Sequence, residues 1–175
     1  MDLIIGNVCS LFATITDSIS SSRKTSRGIL LVQCLSQFFY GAGAIILKGY
    51  SGAAQNAVSV LRNLAALRKV RSRALEWFLV VLAVGLGLLC NNRGLIGVLP
   101  VVANLQYTLA IILRRDNERL LKFTFLINTL LYAVFNYVIL NFVGVVCNVI
   151  VSISLVIFLV KGKGSKQQSH GGGRL

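Results

Sequence analysis

The chain has 175 residues, 55% hydrophobic and 13% charged, with a formal net charge of +13. A soluble domain carries about 25% charged residues, so this composition argues against a water-soluble globule and for an integral membrane protein. The pattern argues against a transmembrane β-barrel as well, because its strands alternate apolar with polar over about 10 residues and the apolar runs here do not alternate.

A membrane-crossing helix needs roughly 20 consecutive apolar residues. Residues 28–47 and 94–113 each hold 20 without a charge, and 123–160 hold 38, enough for two helices. The predicted spans in chain order are 2–19, 28–47, 50–67, 75–91, 94–113, 121–139 and 141–160. The first basic residues, Arg23 and Lys24, follow the first apolar run. A secretory signal has the opposite order, so that run is expected to stay as a span. The third span carries Arg62 near its basic end, where its stem is expected to snorkel to the interface. The fourth, from Trp77 to Leu89, has no hydrogen-bonding side chain except the Trp77 indole and reads as a linker. The tail, 162–175, is rich in Gly, Lys, Gln and Ser and is expected to be a disordered basic segment; the one histidine, His170, lies there.

Alternate links share one sign of charge. Arg23, Lys24 and Arg27, then Arg68, Lys69, Arg71 and Arg73, then Arg114, Arg115, Arg119 and Lys122, then the tail all fall on one side. The other side holds only Lys48 and Arg93. Basic loops stay cytoplasmic, which predicts the N-terminus outside and the C-terminus inside. The positive charge therefore speaks of topology and of contact with anionic lipid; no nucleic-acid partner is expected.

Sliding the chain 92 residues along itself aligns Arg23 with Arg115, Arg27 with Arg119, Tyr40 with Tyr132, Gly52 with Gly144, Asn56 with Asn148 and Lys69 with Lys161. Spans 1–3 fall on spans 5–7, and span 4 has no counterpart. The expected fold is all-α: two parallel three-helix bundles, residues 1–74 and 92–161, joined by a linker helix at 75–91. Such parallel repeats are related by an axis along the membrane normal. The axis would set Asn56 and Asn148 on opposite walls of one central cavity, with Gly52 and Gly144 a turn away allowing close helix approach.

Other polar residues recur at helical spacing: Asn7, Ser10 and Thr14; Gln33, Gln37 and Tyr40; Asn104 and Thr108; Asn128, Tyr132 and Asn136. Such groups also stitch membrane helices together, so each stripe has two readings. If the stripes face inward, Gln37, Tyr40, Asn56, Asn104, Asn128, Tyr132 and Asn148 form a neutral, hydrogen-bonding lining suited to an uncharged polar solute. Apart from Asp2 and Glu76 at span starts, Asp17 is the one acidic residue within a predicted span, and a salt bridge to Arg62 or to the Arg23/Lys24 link is expected for it. Paired carboxylates, a Ser–His arrangement and a phosphate loop are all missing, so no enzyme activity and no cofactor is expected. Cys9, Cys34, Cys90 and Cys147 show no metal-ligand spacing and read as small packing residues.

The block Tyr50-Ser51-Gly52-Ala53-Ala54-Gln55-Asn56, followed by Leu61-Arg62-Asn63-Leu64, Leu67-Arg68 and Arg71-Ser72-Arg73, resembles the signature of the YgjV family of bacterial inner-membrane proteins. Leu99-Pro100 fits it too, with Pro100 a helix-packing residue. The resemblance implies an inner-membrane location and a fold similar to the SWEET and PQ-loop group. In SWEET-like transporters an Asn on span 3 and another on span 7 line the substrate pocket; by resemblance those roles fall on Asn56 and Asn148. The chain departs from that group in having Pro100 as its one proline and no Pro-Gln dipeptide. The expectation is a transporter of a small neutral polar solute, such as a sugar, that can self-associate. The alternative is a non-transporting scaffold or sorting protein acting through its basic loops.

Overall fold

The computed structural model describes residues 1–21, 26–68, 72–114 and 118–168. Arg23, Lys24, Lys69, Arg71, Arg115, His170 and Arg174 lie outside the described residues. Seven helices make up the described chain: α1 Asp2–Ser21, α2 Ser26–Ile46, α3 Tyr50–Leu67, α4 Arg73–Leu89, α5 Leu95–Arg114, α6 Glu118–Val138 and α7 Phe142–Gln168. Their ends fall within a few residues of the predicted spans because charges and turn residues bound each apolar run. The difference is α7, which runs on to Gln168 and into the stretch expected to be disordered. Extending an existing helix fixes one residue per added hydrogen bond, far cheaper than nucleating one, and Lys and Gln are good helix formers.

By length and composition Asp2–Ile19, Arg119–Val138 and Phe142–Val160 suffice to cross a membrane, and Leu30–Ile46 and Leu95–Ala110 are shorter apolar helices. This is fewer than the seven expected spans. Polar residues, among them Gln55, Asn56, Arg62 and Asn63, lower the apolar content of α3, and α4 has only 17 residues.

Apolar and polar residues are distributed as lipid solvation requires. Leu31, Phe38, Phe78, Val81, Val134 and Ile150 point outward, while Ser36, Ser51, Gln55, Asn128, Thr129 and Ser152 are buried. In water such a large exposed apolar surface would aggregate; in lipid it is satisfied. α1 packs on α2, α2 on α3, α3 on α5, α5 on α6, α6 on α7 and α7 on α1, closing a ring, while α4 touches only α3 and α5 from outside. At the α1–α2 crossing a Cβ on Gly43 would lie 2.9 Å from the Gly6 carbonyl oxygen, so only glycine permits this approach.

The α2–α3 and α6–α7 turns are built alike. Lys48 (φ 57°) and Leu140 (φ 61°) both adopt the left-handed conformation. Lys48 N–H donates to Ile45 O (3.0 Å) and Gly49 N–H to Ala44 O (2.7 Å); Leu140 N–H donates to Tyr137 O (3.1 Å) and Asn141 N–H to Asn136 O (2.8 Å). This is the Schellman pattern of helix termination, closed twice on residues that are not glycine. The carbonyl of each left-handed residue is then capped from outside the turn: Lys48 O accepts Asn92 Nδ2 (2.8 Å), and Leu140 O accepts Asn7 Nδ2 (2.9 Å). At this end Leu47, Phe135 and Ile139 form the apolar core, with Ile96 and Leu99 packed on it. Pro100, buried in α5, follows directly after Leu99.

Candidate functional site

The ring encloses a cavity of about 410 Å³, lined by α1, α2, α3, α5, α6 and α7 and by no residue of α4. That volume is within the range of small-molecule sites, roughly 300–1,000 Å³. All seven residues expected to face a central site line it: Gln37 and Tyr40 from α2, Asn56 from α3, Asn104 from α5, Asn128 and Tyr132 from α6 and Asn148 from α7. Gly52 and Gly144 line it too, whereas Pro100 does not. Phe135 belongs to both the cavity wall and the apolar core, so the core closes the cavity at the end of the short turns.

The lining divides by hydrogen bonding. Asn128 Nδ2 donates to Ala103 O (2.8 Å), which binds α6 to α5. Asn104 Nδ2 donates to Gln55 Oε1 (2.9 Å), and Gln55 Nε2 donates to Ala83 O of α4 (2.8 Å). Tyr40 shares a hydrogen bond with Thr14 (3.1 Å), and Thr14 in turn meets Cys147 Sγ (3.2 Å). Thr129 meets Ser152 (2.9 Å), joining α6 to α7. These groups act, at least in part, as glue between helices. Asn56 and Asn148 are different. Neither carboxamide hydrogen-bonds any described residue, although both line the cavity, from helices that do not touch. Gln37 and the Tyr132 hydroxyl are likewise without a side-chain partner among the described residues. A carboxamide offers two donors and an acceptor, so this set can both give and take hydrogen bonds with a polar guest.

The glycines set the cavity's width. A Cβ on Gly52 would sit 2.6 Å from Phe135 Cε1, and one on Gly144 would sit 2.7 Å from both the Asn136 and Asn141 amide nitrogens. A polar cavity inside an apolar-skinned helical ring is the arrangement of a protein solvated by lipid. The sequence model of the Imp-YgjV bacterial inner membrane proteins matches residues 4–166.

The chain belongs to the Imp-YgjV family.

No curated protein and no solved structure matches it. Within this Imp-YgjV chain the structure also corrects the sequence reading. Asp17 and Arg62 are expected to pair with each other; the alternative for Asp17, the Arg23/Lys24 link, lies outside the described residues. Among the described residues they form no ion pair; Asp17 Oδ1 instead accepts from Ser36 Oγ (2.8 Å). Arg62, whose stem is expected to snorkel to the interface, lines the cavity beside Tyr107 and Tyr132. It also reaches a narrow crevice against α4, shared with Thr108. Tyr107 was not singled out, although it lies one helical turn from Asn104; its ring packs on Phe125 at 5.3 Å. Asn7 is not a lining residue: it caps the α6–α7 turn, donating to Leu140 O and accepting from Val143 N–H (3.1 Å).

Proposed function

We propose that this Imp-YgjV protein is a multi-pass transporter of a small polar solute without net charge, bound in the central cavity. In this reading the seven helices cross the membrane as two parallel three-helix units joined by α4, with the N-terminus outside and the C-terminus cytoplasmic. The ring of contacts supports the duplication, since exchanging α1 with α5, α2 with α6 and α3 with α7 maps the ring onto itself. The paired turns support it further: Lys48 and Leu140 stand 92 residues apart, the same interval as Asn56 and Asn148. The likeness to SWEET transporters, whose parallel repeats enclose a midplane site, belongs to this proposal too.

One observation carries the transport reading. Asn56 and Asn148, 92 residues apart, line one cavity, and neither side chain hydrogen-bonds a described residue. An amide in hydrocarbon that serves only to bind helices together finds a protein partner, as Asn128 does. Purified protein in liposomes, screened with sugars, polyols and amino acids, tests the proposal. Uptake of one solute that falls in both Asn56→Ala and Asn148→Ala is the expected result; unaltered uptake in both removes the site.

The second reading is a scaffold that recruits a partner or anionic lipid through its basic loops. Neutralising Arg68, Lys69, Arg71 and Arg73 together would abolish its function while leaving the Asn pair dispensable. Fusions reporting the location of each loop separate loss of function from loss of topology.

A further inference from the structure

We propose that the solute is a zwitterion, carrying one carboxylate and one ammonium group; this rests on the central cavity being the binding site. The cavity wall holds two ionisable side chains of opposite sign, Asp17 and Arg62. Salt bridges between buried groups normally satisfy both members, yet these two are not joined. Asp17 sits beside Tyr40 and accepts one hydrogen bond, from Ser36. Arg62 sits beside Tyr107 and Tyr132, and its five N–H donors find no acceptor among the described residues.

An uncompensated charge away from water is costly, and the cost falls only when a counter-charge arrives. Four kinds of guest can be compared. An uncharged solute leaves both charges as they were. An anion satisfies Arg62 and is repelled by Asp17; a cation does the reverse. A zwitterion satisfies both at once and arrives with no net charge. A guanidinium also matches the planar, two-oxygen geometry of a carboxylate, which assigns the solute's carboxylate to Arg62 and its ammonium to Asp17. Asn56, Gln37 and Asn148 remain for the uncharged body of the molecule.

The repeat sharpens this. At the interval of 92 residues Asp17 corresponds to Leu109 and Arg62 to Ser154. The second unit therefore has neither charge. The hydrogen-bonding amides come from both units and the two charges from the first alone, so the site has a direction, and a zwitterion lies in it one way round.

The test uses the full-length protein in detergent and reads direct binding. The probes are serine, glutamine and phenylalanine, the matching carboxylate-only and amine-only analogues of each, and glucose. The expected result is that at least one amino acid binds about tenfold or more tighter than both of its single-charge analogues. Arg62→Gln and Asp17→Asn each weaken that amino acid by a similar factor, and Arg62→Lys and Asp17→Glu restore part of it. An analogue with one charge that binds as tightly as its amino acid overturns the proposal, and this comparison needs no variant to fold. Glucose binding that is lost in Asn56→Ala, with no amino acid bound, overturns the zwitterion and keeps the central site. Binding of no probe at all overturns both.

Discussion

The two halves of the ring share a frame and differ in what they hang on it. In each, two helices meet at a turn closed by a left-handed residue, and the second of them brings a glycine and an asparagine onto the cavity wall. The first half adds both charges, Asp17 and Arg62, and it adds Gln55, which reaches across to α4. The second half places Cys147 where the first has Gln55, and uses Asn128 and Thr129 to tie its helices together. The difference teaches that backbone geometry and amide placement are what the two halves share, while the two charges and the side-chain bond from Gln55 to α4 belong to one of them.

Substituting the two glycines is the strongest way to break that comparison. Gly52→Leu drives a side chain into the Phe135 ring and is expected to destabilise by about 3 kcal/mol, at the upper end for overpacking. Gly144→Leu meets amide side chains, which can turn away, and should cost less. Thermal unfolding in detergent ranks the two, and equal losses would deny the asymmetry. Next comes Gln55→Ala. It removes a buried bridge among α3, α4 and α5 and leaves the Asn104 amide without its acceptor, at about 2 kcal/mol; Cys147→Ala, at the equivalent position, should cost well under half of that.

The asparagines separate binding from folding. Asn56→Ala and Asn148→Ala should each lower uptake about tenfold, roughly the loss of one hydrogen bond of 1.4 kcal/mol to the solute. Both should melt within a degree or two of the parent protein, because neither side chain is bonded to the described protein. Asn128→Ala should show the opposite pattern, with lower stability of about 1 kcal/mol from the lost tie to Ala103. The smallest effects should come from the turns. A left-handed L-residue costs roughly 1–2 kcal/mol that glycine avoids, so Lys48→Gly and Leu140→Gly should each be neutral to stabilising, by up to about 1 kcal/mol. Similar gains would sharpen the likeness of the two turns; a gain at one and a clear loss at the other would break it.

Much of the frame was legible in the sequence. The helix ends could be read because charged and turn-forming residues sit between apolar runs, and the interval of 92 emerged from Gly, Asn, Tyr and loop Arg. The left-handed turns were not legible, since that conformation ordinarily selects glycine and here falls on Lys48 and Leu140. Nor could the letters separate amides that bond a neighbour from amides that face a space. Asn104, Asn128, Asn56 and Asn148 are the same residue at similar spacings; what differs is whether a carbonyl or a Gln55 side chain stands within reach. The place of Arg62 on the cavity wall was not legible for a related reason. Its place near the end of α3 suggests a stem reaching the interface; Gly52, Asn56, Ser59 and Arg62 step by four, three and three residues along one face, and that face looks inward.

The position of α4 has one more consequence. This helix spans the junction of α3 with α5 and leaves the opposite junction, α1 with α7, with no covalent bridge. That seam is latched by Asn7 at one level and by the Thr14–Cys147 contact at another. If the two units rock against each other, the motion is that of a book bound along one spine, and its open edge runs between Thr14 and Cys147. A Thr14→Cys variant oxidised to a disulfide with Cys147 should then hold the book shut, halting uptake until a reductant frees the page.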